Sequence, residues 1–581
     1  MGRTSAQILA VQRSASVFRS IDNVGRCQTP GERGVEMNWS RRAILGGGAA
    51  LGWSTMAPRA LAAEGEAVAA TVQGQLRGTR EKGVCVFRGV PYGGSVSSPE
   101  RRFKAPPPPV AWTGIRDATI YGPPSIQAGG FPGAPAASED CLFLNVWTPA
   151  TDGAKRPVMF YSHGGGFTVG SGNSPMQNGA NLARLYDVVV VESNHRLGAF
   201  GYLYLGELLG PEYQGNQGLL DLVAALSWVN QNIAGFGGDP DNVMIFGESG
   251  GGGKTASLYT MPAAAPFFHK ASIESPVGPG DRSPDQATEV ARAAMRALGL
   301  SDPRTLLEVP AEQLLRFQTG NADATVPGAR AGGAQRNNRD QMFWPIVDGI
   351  VLPESPFKMH APTVSAAKPL IVGGCKDEAV FFNLGDKSAF SMTEEDLRQR
   401  LAITLGDRGD AWIRTFKASR PKASPSQLYM AISTATPWRA YAVRIAEQKA
   451  EQARAPVFSY ILDYQSPAKV PGTDYLVGSP HASDINTKFN NVLPPPGVSL
   501  PPGPFSDASA AKQKTAANMS AMWAAFARTG CPSIKGQPEW KPYTTARRET
   551  MLIDADCTLA SDPERHERIF WEGEKDAGSI R

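Results

Sequence analysis

Long apolar runs are missing from this chain of 581 residues. No stretch supplies the roughly 18 uninterrupted apolar residues of a membrane-spanning helix, so the sequence carries no transmembrane segment. Cysteine is scarce and scattered. Cys27, Cys85, Cys141, Cys375, Cys531 and Cys557 lie far apart without a C-x-x-C pair, which argues against a zinc cluster and a dense disulfide framework. A basic surface is missing too. The formal charge of +4 comes from residues 1–62, which hold eight arginines and three acids. The remainder has 50 basic and 51 acidic residues, a net of −1, so no nucleic-acid partner is implied. Neither an internal repeat nor a heptad is present.

What is there begins with a leader. Ser40-Arg41-Arg42-Ala43-Ile44-Leu45 carries a twin arginine, the weakly apolar Gly46–Trp53 follows, and Ala60-Leu61-Ala62 has the small-residue form of a cleavage site. This resembles a bacterial twin-arginine export signal and implies a periplasmic or secreted protein. Met37, four residues before the arginines, is the expected start, with residues 1–36 as a non-native upstream extension. Removal of Cys27 with the leader leaves five cysteines, so at least one thiol should be unpaired.

From residue 63 onward no linker divides the chain, and a single domain spanning 63–581 is expected. Short apolar runs bounded by turn residues, "GVCVFRGVPYG", "DCLFLNVWTP", "RPVMFYSHGGG", "DVVVVESNHRLG", "NVMIFGES", "PLIVGGCKDE" and "PVFSYILDYQ", read as strands. "GLLDLVAALSWVNQNIAGFG" has apolar residues at three- and four-residue spacing and reads as a helix ending near Gly235. "AAKQKTAANMSAMWAAFARTG" is a late amphipathic helix. Strands alternating with helices predict an α/β fold with a mostly parallel sheet covered on both faces. The stretch from about Pro279 to Arg339 reads as a helical insertion.

"FGESGGGGKT", Phe246 to Thr255, admits two chemistries. A phosphate-binding loop needs its first glycine five residues before Gly253-Lys254-Thr255, and that position is Glu248, whose carboxylate would repel phosphate. The alternative fits: Gly247-Glu248-Ser249-Gly250-Gly251 after the apolar Val243–Phe246 matches G-x-S-x-G, a strand-to-helix turn that presents a nucleophilic serine. Such a serine needs an imidazole to take its proton. His163 and His195 precede the turn, His269 follows it too closely, and His566 lies in a charged C-terminal stretch, so His360 and His481 are the candidates.

At this point the chain resembles a type-B carboxylesterase, a member of the α/β-hydrolase family that includes the cholinesterases. "FRGVPYG", "EDCLFLNVWTP", "HGGGFTVGSG", "NHRLGAFGYL", "GNQGLLDLVAALSWVNQNIAGFGGDP", "FGESGGG", "VDGIVLP", "KDEAVFF" and "FARTGCP" occur in the family's order from about Ala67 to Trp571. The resemblance implies a triad of Ser249, Glu378 and His481: "GSPHASDINTKF" matches the histidine loop, and "GGCKDEAVFF" matches the acid segment, with Ala379 in place of the family glycine. Asp377 is the alternative acid, and Asp484 a structural partner in the histidine loop. The oxyanion hole is implied at Gly165, Gly166 and Gly250, the last standing where the family usually has alanine. No cofactor or metal is implied. The expected reaction is hydrolysis of a small carboxylic ester through an acyl-enzyme. Amide or carbamate cleavage on the same triad, and a non-catalytic binding protein, are the alternatives.

The departures from the family carry their own expectations. Lys254 stands where many members have serine and Lys488 where the position is normally apolar; each is expected to be a snorkelling or surface lysine. Cys141 matches a family disulfide cysteine, but Ser125 stands where its partner should be, so that bridge should be absent. Arg330, Arg336 and Arg339 read as a solvated loop, with an anionic substrate as the weaker reading. Glu139 and Arg196, at the ends of two runs read as strands, are expected to form a buried ion pair.

Overall fold

The computed structural model describes residues 65–130, 134–276, 282–320, 343–492 and 507–576. The leader with Met37, Arg41 and Arg42, the cysteine Cys27, and the arginines Arg330, Arg336 and Arg339 lie outside the described residues.

Thirteen strands form one sheet. They are β1 (Gly65–Thr71), β2 (Gly74–Glu81), β3 (Val84–Pro91), β4 (Ile115–Asp117), β5 (Phe143–Thr148), β6 (Arg156–Ser162), β7 (Val189–Ser193), β8 (Gly238–Glu248), β9 (Lys270–Glu274), β10 (Leu370–Cys375), β11 (Val457–Leu462), β12 (Glu549–Ile553) and β13 (Thr558–Ser561). Their spatial order is β1-β2-β3-β5-β7-β6-β8-β9-β10-β11-β12-β13, with β4 beside β2. From β7 to β12 every pairing is parallel; the pairings along β1-β2-β3-β5-β7 on one side and of β12 with β13 on the other are antiparallel, and β4 lies parallel to β2.

The central strands are rich in apolar residues because both faces are covered, although β9 carries Lys270, Ser272 and Glu274 and β7 ends in Glu192-Ser193. Val158 and Phe160 of β6 and Val243 and Ile245 of β8 join a core that includes Leu222, Leu226 and Val229 of the helix Gln217–Asn232. Their neighbours Met159, Tyr161, Met244 and Phe246 point the other way, into a core with Trp523 and Phe526 of the helix Ala510–Thr529. The expected helix ending near Gly235 is α-helical to Asn232 and continues as a 3₁₀ turn to Phe236. The helical insertion contributes Pro284–Leu298 and Ala311–Thr319, the first opened by a capping box between Ser283 and Gln286. Cys85, Cys141, Cys375 and Cys557 are buried free thiols. The Ser125 hydroxyl, opposite Cys141 in the resemblance, accepts the Leu197 N–H at 3.1 Å.

The expected Glu139–Arg196 pair does not form. Arg196 is buried against Asp221 of the helix Gln217–Asn232, donating from Nε at 2.9 Å and Nη2 at 2.7 Å, while its backbone N–H reaches the same carboxylate at 3.0 Å. Glu139 accepts instead from Arg102, whose Nε lies 2.7 Å away and whose guanidinium also donates to the carbonyls of Leu307 and Val309. Although β5 and β7 are neighbours, Asp221 stands on the buried face of that helix, whereas Glu139 lies on part-buried chain before β5. A carboxylate on the buried face of that helix was the sequence signal for the true partner. Arg196→Met should strand the Asp221 charge and cost about 3–5 kcal/mol, read as lost soluble yield and lowered Tm with near-normal turnover per folded molecule. Arg196→Lys should lose less, since one of the two parallel bonds can be kept. A Met variant as stable as the parent would contradict this account.

Candidate active site

Parallel sheets gather chemistry at the carboxyl ends of their strands, and three neighbouring strands do so here. At the end of β8, Ser249 sits at φ 60°, ψ −122°, a conformation that costs a non-glycine residue energy and turns its side chain out of the sheet. Its N–H is held by the Glu274 carbonyl of β9 at 3.0 Å. The helix Gly250–Thr260 starts at once, and all eleven of its residues are buried. Glycine at 251 is required by space: a Cβ there would lie 2.0 Å from the Ser162 carbonyl oxygen at the end of β6.

Glu378 follows β10. Its Oε1 accepts from the Ser275 hydroxyl at 2.6 Å and the Cys375 N–H at 2.7 Å, and its Oε2 lies 2.6 Å from Nδ1 of His481. His481 arrives from far along the chain, just after a small ribbon formed by Ser466–Lys469 and Leu476–Gly478. Both side chains are buried. The other ring nitrogen, Nε2, lies 3.2 Å from Oε1 of Glu248, the residue immediately before Ser249. The structure therefore brings Glu378 and His481 into contact and turns the imidazole toward the serine turn.

Burial pulls the His481 imidazole down, but the carboxylates of Glu248 and Glu378 more than reverse this and hold it above the usual histidine range. Burial raises the Glu248 carboxyl, and the His481 imidazole only partly opposes the shift. Glu248 went unrecognised as a site group in the sequence, where its charge served only to exclude phosphate. A carboxylate at the middle position of the turn was the available signal. The rings of Phe382 and Trp438 lie 4.8 and 5.6 Å from that of His481 and line a hollow of about 630 Å³. Trp438 belongs to a π-helical turn, Ala435–Arg439.

The remaining candidates separate cleanly. Asp377 turns away from His481, its Oδ2 accepting the Ser479 N–H at 2.9 Å and the Gln465 amide at 3.1 Å. Asp484 is buried and accepts the Tyr460 hydroxyl at 3.0 Å. His360 lies beside Glu354 with its side chain largely exposed, and His269 accepts the Val243 N–H at 3.1 Å. His163 and His195 stack with ring centroids 4.6 Å apart.

Both lysines contradict their expected surface placement. Lys488 is fully buried and pairs with Glu274, whose Oε1 also accepts from Trp523 and Ser272 at 2.7 Å. Lys254 is equally buried and donates to the His163 carbonyl at 3.0 Å. Each lies on a short helix with no exposed face, so snorkelling to water is impossible.

Above the serine turn runs the loop His163-Gly164-Gly165-Gly166, with Gly165 and Gly166 at φ 86° and 63°. It packs so closely that a Cβ at Gly250 would lie 2.0 Å from the Gly166 carbonyl oxygen, which accounts for glycine where the resemblance leads one to expect alanine.

The model of the carboxylesterase family matches residues 65–571. The chain belongs to that family. Para-nitrobenzyl esterase of Bacillus subtilis (strain 168) is 34% identical over 86% of this chain and 97% of its own. Phenmedipham hydrolase of Pseudarthrobacter oxydans is 30% identical, covering 86% and 98%. The crystal structure of a Geobacillus stearothermophilus carboxylesterase at pH 6.2 superimposes with a TM-score of 0.73 at 36% identity, covering 87% of this chain and 99% of that one. This carboxylesterase thus has the α/β-hydrolase fold and is a serine hydrolase of carboxylic esters.

Proposed function

We propose that Ser249 is the nucleophile, His481 its base and Glu378 the acid that orients the imidazole. The observation that carries this reading is the 2.6 Å contact between Glu378 and His481 Nδ1, which leaves Nε2 as the nitrogen facing the serine turn. His481 takes the hydroxyl proton as Ser249 attacks the ester carbonyl, and returns it to the departing alcohol. Water, activated by the same ring, then attacks the acyl-enzyme; the acid is released and Ser249 restored. The N–H groups of Gly165, Gly166 and Gly250 are assigned to the oxyanion that forms in both halves. The aromatic walls at Phe382 and Trp438 favour an apolar group next to His481. Labelling with an organophosphate tests the assignment: the adduct should map to Ser249 and vanish in Ser249→Ala. Labelling elsewhere would remove it, and no labelling would favour a binding protein.

The same reading fixes the pH dependence. The base form of His481 is the deprotonated ring, so kcat/KM should fall as pH drops through its raised pKa. Glu248→Gln removes one of the charges that raise it, leaving Glu378 and Asp484, and should move that limb to lower pH. A limb that stays in place would mean that Glu248 does not act on the base.

Residues 1–62 are proposed to be a leader, with 37–62 the twin-arginine signal, which makes the mature enzyme a single domain in the periplasm or medium. Mature protein should begin near Ala63, and N-terminal sequencing of exported material that starts upstream of Met37 would refute this.

A further inference from the structure

Lys254 is an energetic anomaly. Its ammonium is wholly buried, and among the described residues no carboxylate pairs with it; burial alone pulls it down to about 7. Lys488 provides the contrast within the same protein, since Glu274 and Asp484 hold it charged. A buried lysine without a counter-ion costs stability that an isosteric methionine would not. Its charge acts on its neighbours in turn: His163 and His195 are kept well below the usual histidine range, first by burial and then by the Lys254 charge. Structure alone gives no reason for a lysine here.

Its position does. The proposed oxyanion donors come from two separate pieces of chain, the glycine loop after β6 and the first turn of the helix after Ser249. Lys254 is on that helix, one turn beyond Gly250, and its Nζ donates 3.0 Å across to the carbonyl of His163, the residue at the root of the loop. Elsewhere the two pieces meet through bare backbone: a Cβ at Gly250 would strike the Gly166 carbonyl, and a Cβ at Gly251 those of Ser162 and His163. Backbone contacts of this kind keep the pieces from approaching further but do not hold them together. The Phe167 ring, 5.7 Å from Nζ, continues the loop over the same lysine.

We propose that Lys254 is a positioning residue that ties the glycine loop to the serine helix and so sets the spacing of the oxyanion-hole donors. The proposal rests on the assignment of Gly165, Gly166 and Gly250 made above. Because the tie acts on the hole, it acts on the tetrahedral oxyanion more than on the bound ester.

The test uses Lys254→Met in the full chain, assayed with p-nitrophenyl butyrate and inhibited with an alkyl trifluoromethyl ketone, which forms a tetrahedral oxyanion adduct with the serine. Rates are normalised by organophosphate titration of active sites. Lys254→Met should keep or raise Tm, since a lone buried charge is gone. It should lower kcat about 10- to 100-fold with KM little changed, somewhat less than the ~10²–10³ lost with an oxyanion donor itself. The ketone's Ki should rise by the same factor as kcat falls. Lys254→Gln, uncharged and shorter than the span to the carbonyl, should fall in the same way and serves if the Met variant is insoluble. Tight, Ser249-dependent ketone binding by the parent with unchanged kcat and Ki in the variants would overturn the role of Lys254 alone. A parent enzyme that the ketone does not inhibit through Ser249 would overturn the active-site assignment and this proposal together.

Discussion

Ser249→Ala should lower kcat by several powers of ten, on the order of 10⁶, because nucleophile and base act as one unit and neither is useful alone. The fold should be undisturbed. Alanine tolerates φ 60° no worse than serine does, and the bond that holds the turn, from the residue 249 N–H to the Glu274 carbonyl, is made by backbone. No hydrogen bond within the described residues depends on the Ser249 hydroxyl to support a neighbouring element. Tm and yield should therefore match the parent while ester turnover drops to the level of contaminating enzyme. Substantial turnover by a variant free of parent protein would take Ser249 out of the mechanism.

The second large effect is expected at Glu378. Changing it to glutamine preserves shape but alters two things. The amide cannot stabilise the imidazolium, and it imposes the wrong proton placement on the ring. Ser275 and Cys375 both donate to Oε1, so the glutamine oxygen must stay on that side and the NH₂ must face His481. Nδ1 then has to accept, the ring proton moves to Nε2, and the nitrogen that should take the serine proton is already occupied. A loss of about 10⁴ in kcat is expected, the size found when the orienting acid of such a triad becomes an amide. Asp377→Asn is the control. Its carboxylate faces Ser479 and Gln465, so kcat should barely change. If Asp377→Asn proved the more damaging, the acid would be misassigned.

The parts of this enzyme that were legible in the sequence are those written in local backbone. The serine turn is one: an apolar strand, a small-residue turn and a helix follow one another directly between Val243 and Thr260, and no distant contact is needed to recognise them. The β/α alternation is another, because a strand buried on both faces has to be mostly apolar. Glu378 and His481 were singled out differently, by the resemblance of their segments to the family's acid segment and histidine loop.

Only the tertiary structure decided where the charges go. Lys488 and Glu274 are 214 residues apart in the chain and meet in the core. Arg196 pairs with Asp221, on the buried face of the helix Gln217–Asn232, and not with Glu139. Glu248 faces His481 only because loops after β8 and β11 end on the same side of the sheet. Lys254 reads as a surface lysine in sequence, and becomes a buried one because its helix is enclosed on every side. A sequence states that a residue is charged, and its periodicity indicates which positions share a face. Whether that face meets water or a carboxylate depends on what the rest of the chain packs against it, and for buried charges that choice separates a stabilising pair from an isolated and costly ion.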